Sequence, residues 1–248
     1  MLSAVIITFN EERNIGRCLT SLKGIADELI VVDSFSTDRT EEICKEHGVK
    51  FVQHAFEGHI EQKNYALDLA SYDYVISLDA DEAITQKLSE SILAVKDDLS
   101  FDAYSFNRLT NYCGHWVRFC GWYPDKKLRI WNRQKGRWGG VNPHDKVVLA
   151  EGASLKHLKG DLEHWSFYTR EQHMRQIRYF TDISSKAAFA KGKRSSLLKM
   201  LYKPAFKFFQ SYFLQLGFLD GYYGLVICIN STYAKYLKYA KLNELGKQ

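Results

Sequence analysis

The stretch Tyr74–Glu82 constrains the fold of this chain more than any other. Its apolar run Tyr-Val-Ile-Ser-Leu ends in three carboxylates within four residues, Asp79, Asp81 and Glu82. Such a run is typical of a buried strand, and an open α/β sheet binds its ligands just beyond the carboxyl ends of such strands. Clustered carboxylates repel one another unless a cation lies among them, and hard oxygen ligands suit Mg²⁺ or Mn²⁺. The same acids also fit the first turn of a helix beginning near Thr85, so the stretch alone leaves both interpretations open.

Strand-like runs alternate with helix-like segments from the N-terminus to this stretch. The pattern predicts strands at Leu2–Phe9, Glu28–Val32 and Val49–Gln53, before the strand that ends at Asp79. The helices predicted between these strands lie at 10–22, 41–46 and 62–70. Four repeats of strand, loop and helix predict an α/β fold with a parallel, doubly wound sheet.

Polar side chains recur where the predicted strands end. They are Thr8, Asn10, Asp33, Asp79 and Asp81. Their recurrence at one edge of a sheet favours a ligand crevice there. The sequence has no Gly-x-Gly-x-x-Gly after its first strand and no P-loop, so a nucleotide bound at this edge would need a metal to neutralise its diphosphate.

Four segments carry a family resemblance. They are Val5–Glu12, Val32–Asp38, Lys63–Leu67 and Leu78–Asp81. In this order and spacing they resemble the signature of family 2 glycosyltransferases with the Rossmann-like GT-A fold. That fold implies an α/β architecture with a mixed, mostly parallel sheet flanked by helices. The resemblance implies a nucleotide-sugar donor, a divalent metal (Mg²⁺ or Mn²⁺) and inversion at the anomeric carbon. Phe35 departs from the family, which usually has Gly there, and this departure bears on which nucleotide is bound.

The resemblance also implies residue roles. The residues that it assigns to the nucleotide sugar are Thr8, Asn10, Glu11, Asp33, Lys63, Asp79 and Ala80. Within this set Lys63 approaches the base or the diphosphate, and Asp79 contacts the ribose. Asp81 is the principal metal ligand. Apart from the resemblance, His144 or His164 is a candidate for a further metal ligand or for a contact to the leaving diphosphate, and a hydrogen-bonded structural histidine is the alternative. Glu82 is left as an acid that only marks the start of a helix.

The middle of the chain narrows the resemblance. Gly121–Asp125, Leu128–Trp131 and His144-Asp145 are similar to the branch that includes the lipopolysaccharide core β-glucosyltransferases, which have His-Glu at the last position. Trp122, Tyr123 and Arg129 are predicted on the acceptor side, where flat aromatic rings suit sugar faces. Aromatic rings also fill protein cores, so both roles stay open for the two rings.

An inverting transfer needs a carboxylate that takes the proton of the acceptor hydroxyl as the sugar carbon is attacked. We predict Asp145 as this general base and Asp125 as the second choice. The alternative for Asp145 is a salt-bridged loop acid.

The C-terminal part differs in charge from the rest. From Lys186 to Gln248 there are eleven Lys or Arg residues and two acids, although the whole chain carries only +5. Two long uncharged runs, Phe208–Leu219 and Gly221–Ala234, lie between these basic residues, and each is shorter than a membrane span. Basic flanks with aromatic anchors favour helices that lie on an anionic membrane. A buried helical pair or a homodimer interface is the alternative.

These observations predict a catalytic domain at 1–168, with a nucleotide-binding half at 1–82 and an acceptor half at 101–168, and a helical extension at 169–248. The predicted function is transfer of glucose or another hexose from a UDP-sugar to a lipid-linked saccharide such as lipopolysaccharide core. Scattered cysteines without a Cys-x-x-Cys pair favour the cytoplasm, with the protein on the inner face of the cell membrane. A nucleotidyltransferase and a non-catalytic membrane adaptor are the alternatives, and no nucleic-acid motif is recognised.

Overall fold

The computed structural model describes residues 1–141 and 144–247, without the side chains of residues 141 and 144. These residues form two compact units. The first unit contains Met1–Arg108 and Asp125–His164, and the second contains Leu109–Pro124 and Trp165–Gln248. The functional division predicted at residue 168 stays a prediction.

Strands dominate the first unit and helices the second. The strands are β1 Leu2–Thr8, β2 Glu28–Asp33, β3 Lys50–Gln53, β4 Tyr74–Asp79, β5 Glu82–Ile84, β6 Ala103–Tyr112, β7 His115–Val117, β8 Asp125–Asn132, β9 Gly136–Val141, β10 His144–Leu149 and β11 Leu155–Phe167. The α-helices are α1 Ile15–Ser21, α2 Thr40–Glu46, α3 His59–Asp68, α4 Gln86–Lys96, α5 Arg170–Ala190, α6 Leu197–Phe209 and α7 Gly221–Leu245.

The main sheet is mixed, as predicted. Its strands run in the order β3-β2-β1-β4-β8-β6-β11-β5, and β9 and β10 form a separate hairpin. The first four strands of that order pair in parallel, whereas β8 is antiparallel to both β4 and β6. The parallel registers place Thr8 beside Asp33 and Ile7 beside Asp79. The ends of three neighbouring strands therefore present their polar side chains at one edge.

Both faces of β1, β2 and β4 are largely buried, which explains the apolar runs of these three strands. Ala4 and Ile6 of β1 belong to a cluster that contains residues of α1 and α4. Val5, between them in sequence, belongs to a second cluster that contains residues of α3 and both Trp131 and Trp138. Alternate residues of one strand therefore face two helical layers, and the sheet edge between the layers is left for polar residues.

One predicted helix start is confirmed, and another lies five residues too early. Thr85 caps α4 as expected, since its hydroxyl accepts the backbone N–H of Leu88. The first helix was predicted from residue 10, but α1 begins at Ile15. Asn10 has a positive φ of 54°, and its backbone N–H donates to the Ser36 hydroxyl, so this residue belongs to a loop.

The second unit is built on α5, α6 and α7. A capping box formed by Thr169 and Gln172 begins α5. Between α6 and α7 the chain makes a π turn at Gln210–Leu214 and a 3-10 turn at Gly217–Asp220. A Cβ atom on Gly224 would lie 1.9 Å from the carbonyl oxygen of Gly217, so only glycine fits where this turn meets α7.

Apolar side chains are exposed along α6, the turns and α7. Leu197, Leu198 and Leu201 are each 70% exposed or more. Among the described residues, no single helix has the length and apolarity to cross a bilayer. One pair of helical segments passes the same test of length and composition when the two are taken together. It consists of Leu197–Leu214 and Gly217–Leu245, with a bend of 71° at the break.

Candidate active site

The loops after β1 and β2 are tied to each other at the edge where both strands end. The carboxylate of Asp33 is fully buried and accepts the backbone N–H of Ser36 at 2.8 Å as well as its hydroxyl. The Asn10 side-chain oxygen accepts the backbone N–H of Thr37 at 2.8 Å. These bonds fix Asn10 and Asp33, both predicted to face the nucleoside, in one cradle beside Thr8.

Phe35 stands in this cradle at a φ of +61° with its ring exposed. A positive φ is strained for a bulky side chain and free for glycine, which gives a physical reason for the Gly that the resemblance leads us to expect here. Phe35 therefore combines a strained backbone with an exposed ring at the rim of the cradle.

Lys63 lies at the centre of the charged residues. It is only 5% exposed, and its Nζ lies 3.0 Å from Asp79 Oδ1 and 2.8 Å from Asp145 Oδ2. The ammonium also lies 4.3 Å from the centre of the Trp138 ring. Helix α3 thus directs this lysine inward, and one cation joins two acids that are 66 residues apart in the sequence.

Asp79 is paired on both of its oxygens. Its Oδ2 lies 3.0 Å from an Arg129 guanidinium nitrogen, opposite the contact with Lys63. Burial would raise the pKa of Asp79, but the charges of Lys63 and Arg129 outweigh burial and hold that pKa well below its usual range. The carboxylate is therefore ionised at any pH at which the fold persists.

The prediction that Glu82 only marks the start of a helix is wrong. Glu82 begins β5, is 1% exposed, and lies 2.6 Å from Arg129 and 3.4 Å from Arg108. Its other oxygen accepts the backbone N–H of Asp79 at 3.1 Å. A buried arginine within the apolar run of β8 needs a buried acid as partner, and that requirement was a signal for Glu82 in the sequence.

Asp81 lies beside His164. The Nε2 of His164 is 3.2 Å from Asp81 Oδ2, and both side chains are partly exposed. The register of β11 and β5, which pairs His164 with Glu82, brings this histidine to the strand end from far along the sequence. Two of the predicted metal ligands therefore meet, whereas the His144 side chain lies outside the described residues. No group of three His, Cys, Asp or Glu side chains suited to a metal occurs within residues 1–141 and 144–247.

Glu11 belongs to the same acidic neighbourhood. Burial raises its pKa to about 7, a hydrogen bond from Asn14 opposes this rise, and the charges of Asp81 and Asp38 add to it. Ala80, between the two aspartates of the motif, is buried. Glu11 therefore exchanges its proton near neutral pH and alters the charge beside Asp81 when it does so.

The two candidate bases differ in their surroundings. Asp145, on β10, faces a cavity of about 510 Å³ that Asp79, Lys63 and Arg129 also line. Asp125, at the start of β8, is held by Arg108 at 2.8 Å and by Lys127 at 3.1 Å, and it does not line this cavity. Asp125 is therefore a salt-bridged acid. Asp145 matches that alternative only in part, because Lys63 is its one ion-pair partner among the described residues and the carboxylate also faces the cavity.

Trp122 and Tyr123 belong to the second unit. The Trp122 ring packs edge-on to Tyr112 at 5.9 Å and also lies against His173. Tyr123 lies 5.8 Å from the guanidinium of Arg118. Arg129 belongs to the unit that contains the cavity, whereas Trp122 contacts an aromatic cluster of the second unit. The placement of Trp122 and Tyr123 on the acceptor side stays a prediction.

Comparison with known proteins gives consistent matches. The model of glycosyl transferase family 2 matches residues 3–148, which is more than half of the chain. An uncharacterized glycosyltransferase of Rickettsia typhi is 30% identical over 255 residues, which cover 99% of this chain and 87% of the relative. The lipopolysaccharide core biosynthesis glycosyltransferase LpsC of Rhizobium meliloti is 27% identical over 261 residues, covering 97% of this chain and 91% of the relative.

A solved structure is similar at lower identity. The crystal structure of residues 1–349 of S. aureus TarS aligns with a TM-score of 0.46 at 16% identity, covering 100% of this chain and 91% of that chain. This likeness is too distant to carry the role of any residue across to the present chain.

Proposed function

This chain belongs to the family 2 glycosyltransferases, and from this premise we propose that it moves glucose or another hexose from a UDP-sugar to a lipid-linked saccharide. The observation that carries the proposal is the cavity in which Asp145 and Asp79 share Lys63. The similarity to a lipopolysaccharide core glycosyltransferase over nearly the full length supports a core saccharide as the acceptor.

The donor would bind at the carboxyl ends of β1, β2 and β4. Asp33 and the loops after β1 and β2 support this placement, because their mutual hydrogen bonds shape the cradle without a ligand. The buried Thr8 hydroxyl has no hydrogen-bond partner in the described part of the chain, so it has a hydrogen bond to offer to the nucleoside. Asn10, Glu11 and Ala80 line the same edge.

A divalent cation, Mg²⁺ or Mn²⁺, fits Asp81 and His164. Their ligand atoms already lie 3.2 Å apart and are partly open to solvent, and the diphosphate and water would complete the oxygen ligands. When bound, such a cation stabilises the charge that develops on the leaving diphosphate. Asp81 would hold it by its carboxylate and His164 by Nε2.

Asp145 would act as the general base. Its open side faces the cavity, where an acceptor hydroxyl can approach, and it would take the hydroxyl proton as that oxygen attacks the anomeric carbon. Lys63 holds Asp145 by Oδ2 at 2.8 Å, which orients the carboxylate. Asp125 is the second choice, because two cations already occupy it.

The second unit would hold the enzyme on the cytoplasmic face of the membrane. Leu197, Leu198 and Leu201 offer an exposed apolar patch near the start of α6. Lys199 lies between these leucines in sequence, and Lys203 follows them two residues later. Apolar insertion combined with basic residues suits an anionic lipid surface, where a lipid-linked acceptor is found.

Two experiments test these proposals. A panel of UDP-, GDP- and other nucleotide hexoses, each with Mn²⁺ or with a chelator, is scored by thermal stabilisation and by release of nucleoside diphosphate. We expect a UDP-hexose to stabilise the protein only with the metal, and a panel without any stabilising donor would contradict the donor proposal.

Flotation with anionic liposomes tests the membrane proposal, and the triple variant L197S/L198S/L201S should lose this flotation. The matched variant L93S/L155S in the first unit should keep flotation, and equal flotation of all proteins would contradict the membrane proposal.

A further inference from the structure

The cavity beside Asp145 has more positive charge than its own acids neutralise. Six cationic side chains line it, Lys63, Arg108, Lys126, Lys127, Arg129 and Lys146. The carboxylates that pair with them are Asp79, Glu82, Asp125 and Asp145. Six cations against four carboxylates leave an excess of two positive charges.

That excess is located on two residues. Lys126, on β8, and Lys146, on β10, are both exposed, and neither pairs with an acid among the described residues. The other four cations each lie within 3.4 Å of a carboxylate oxygen. A concave site with unpaired charge of one sign concentrates ligands of the opposite sign.

The excess lies beside Asp145. Thr8, Asp33 and Asp81, which the proposed function assigns to the donor and its metal, do not line this cavity. Lys63 and Asp79, which the resemblance assigns to the nucleotide sugar, do line it, and each already pairs with an opposite charge. Asp145, the proposed base for the acceptor hydroxyl, lines it and is adjacent in sequence to Lys146. The donor diphosphate is therefore expected to be neutralised at Asp81 and its cation, which leaves Lys126 and Lys146 for another anion.

Trp138 gives a second, independent observation. It lines the same cavity, is 6% exposed, and its indole N–H has no hydrogen-bond acceptor in the part of the chain that the structure describes. A buried donor without an acceptor costs free energy that an oxygen of a bound ligand recovers. An indole N–H and two ammonium groups together favour a ligand rich in oxygen and negatively charged.

We infer that the acceptor saccharide carries an anionic group, a phosphate or a carboxylate, which binds Lys126 and Lys146 in the cavity next to Asp145. The inference rests on the proposed function, since it takes this cavity as the acceptor site. It defines the substrate more closely: a neutral saccharide would leave the two lysines unpaired, so the enzyme selects charged acceptors.

Binding of small probes to the full chain tests the inference. The probes are a hexose 6-phosphate, a hexuronate and the neutral hexose, measured by isothermal titration calorimetry with UDP and Mn²⁺ present and again without them. We expect both anionic sugars to bind at least about tenfold more tightly than the neutral one. The variant K126Q/K146Q should lower their affinity about tenfold and keep the affinity for UDP with Mn²⁺ within twofold. The control variant K23Q/K87Q removes two exposed lysines elsewhere in the first unit and should change neither.

Three results would overturn the inference. The first is equal binding of the neutral and anionic sugars, and the second is binding of the anionic sugars that K126Q/K146Q leaves unchanged. The third is a loss of UDP affinity as large as the loss of sugar affinity, which would assign the two lysines to the donor. Failure of every UDP-sugar to bind would instead count against the proposed function. The measurement without nucleotide would still test whether Lys126 and Lys146 bind the anionic sugars. The relative binding of phosphate and carboxylate identifies which group the acceptor carries.

Discussion

Buried and partly buried carboxylates have different partners in the two units. In the first unit, Asp79 and Glu82 contact the side-chain cations of Lys63 and Arg129. In the second unit, buried Asp220 accepts the backbone N–H groups of Phe119 at 2.8 Å and Arg118 at 3.3 Å, and it contacts no lysine or arginine side chain among the described residues. Its side-chain neighbours are His115, with Nε2 at 3.3 Å, and the Cys120 thiol.

The difference separates a reactive site from a structural one. A side-chain cation has its own rotamers and can shift its partners when a phosphate or a metal binds, so charges paired in this way can be redistributed. Backbone donors are fixed by the chain, and a carboxylate that they satisfy fixes the loop in return. We therefore expect variants of Asp79 and Glu82 to alter charge and chemistry as well as stability, and variants of Asp220 to alter only stability.

The largest stability effect should come from Glu82. Glu82→Gln removes a buried charge that contacts Arg129 at 2.6 Å and leaves that arginine with Asp79 alone. Breaking a buried pair from one side costs about 3–5 kcal/mol. Urea unfolding measures this loss, and Glu90→Gln on the exposed face of α4 serves as the control. A loss below about 1 kcal/mol would mean that Arg129 does not need its second acid.

The second unit should lose stability as the pH falls. Burial lowers the pKa of His173 to about 4, and its Nδ1 lies within hydrogen-bond distance of the Tyr112 hydroxyl and the Asn230 amide. The unfolded chain takes up a proton near pH 6.5 and the folded chain only near pH 4. The stability from neutral His173 is therefore complete above pH 6.5, and about 3 kcal/mol of it is lost by pH 4.

Comparison of slopes isolates this histidine from the acids that also titrate. Unfolding free energy measured from pH 7 to pH 4 should fall more steeply for the wild type than for His173→Gln, by up to about 1.4 kcal/mol per pH unit. Parallel curves for the two proteins would show that His173 is protonated in the folded state.

A smaller effect is expected at Asp220. Asp220→Asn replaces one acceptor oxygen by an NH₂ group that faces backbone donors, at a cost of about 2 kcal/mol. Hydrogen exchange at residues 118–120 should accelerate, whereas donor binding in the first unit should stay unchanged. Glu244→Gln, at an exposed position of α7, is the control. Loss of donor affinity in Asp220→Asn would remove the distinction between the two units.

Local patterns were sufficient to predict the parallel strands and their polar ends. The runs that end at Thr8, Asp33 and Asp79 are apolar throughout because both faces are buried, and the order of four motifs identified the family, which the comparisons confirm. That membership also removes the nucleotidyltransferase and the non-catalytic adaptor as alternatives. The roles of individual site residues stay predictions.

Partners that are distant in sequence could not be predicted. Glu82 was misjudged because its partners Arg108 and Arg129 come from β6 and β8, and local sequence favours the first turn of a helix. Likewise, nothing near His164 indicates that antiparallel pairing of β11 with β5 brings it to Asp81. Both contacts depend on the pairing of strands that are distant in sequence, and the periodicity of the sequence does not reveal that pairing.

Turnover of Asp145→Asn tests the central claim most directly. With a UDP-hexose, Mn²⁺ and a lipid-linked saccharide, we expect transfer to fall about 10²–10⁴-fold, because the acceptor hydroxyl loses its proton acceptor. Donor binding should stay within a few-fold of wild type, and Asp125→Asn should retain most of the transfer. Full transfer by Asp145→Asn, or a larger loss in Asp125→Asn, would contradict the assignment of the base and of the cavity that it lines.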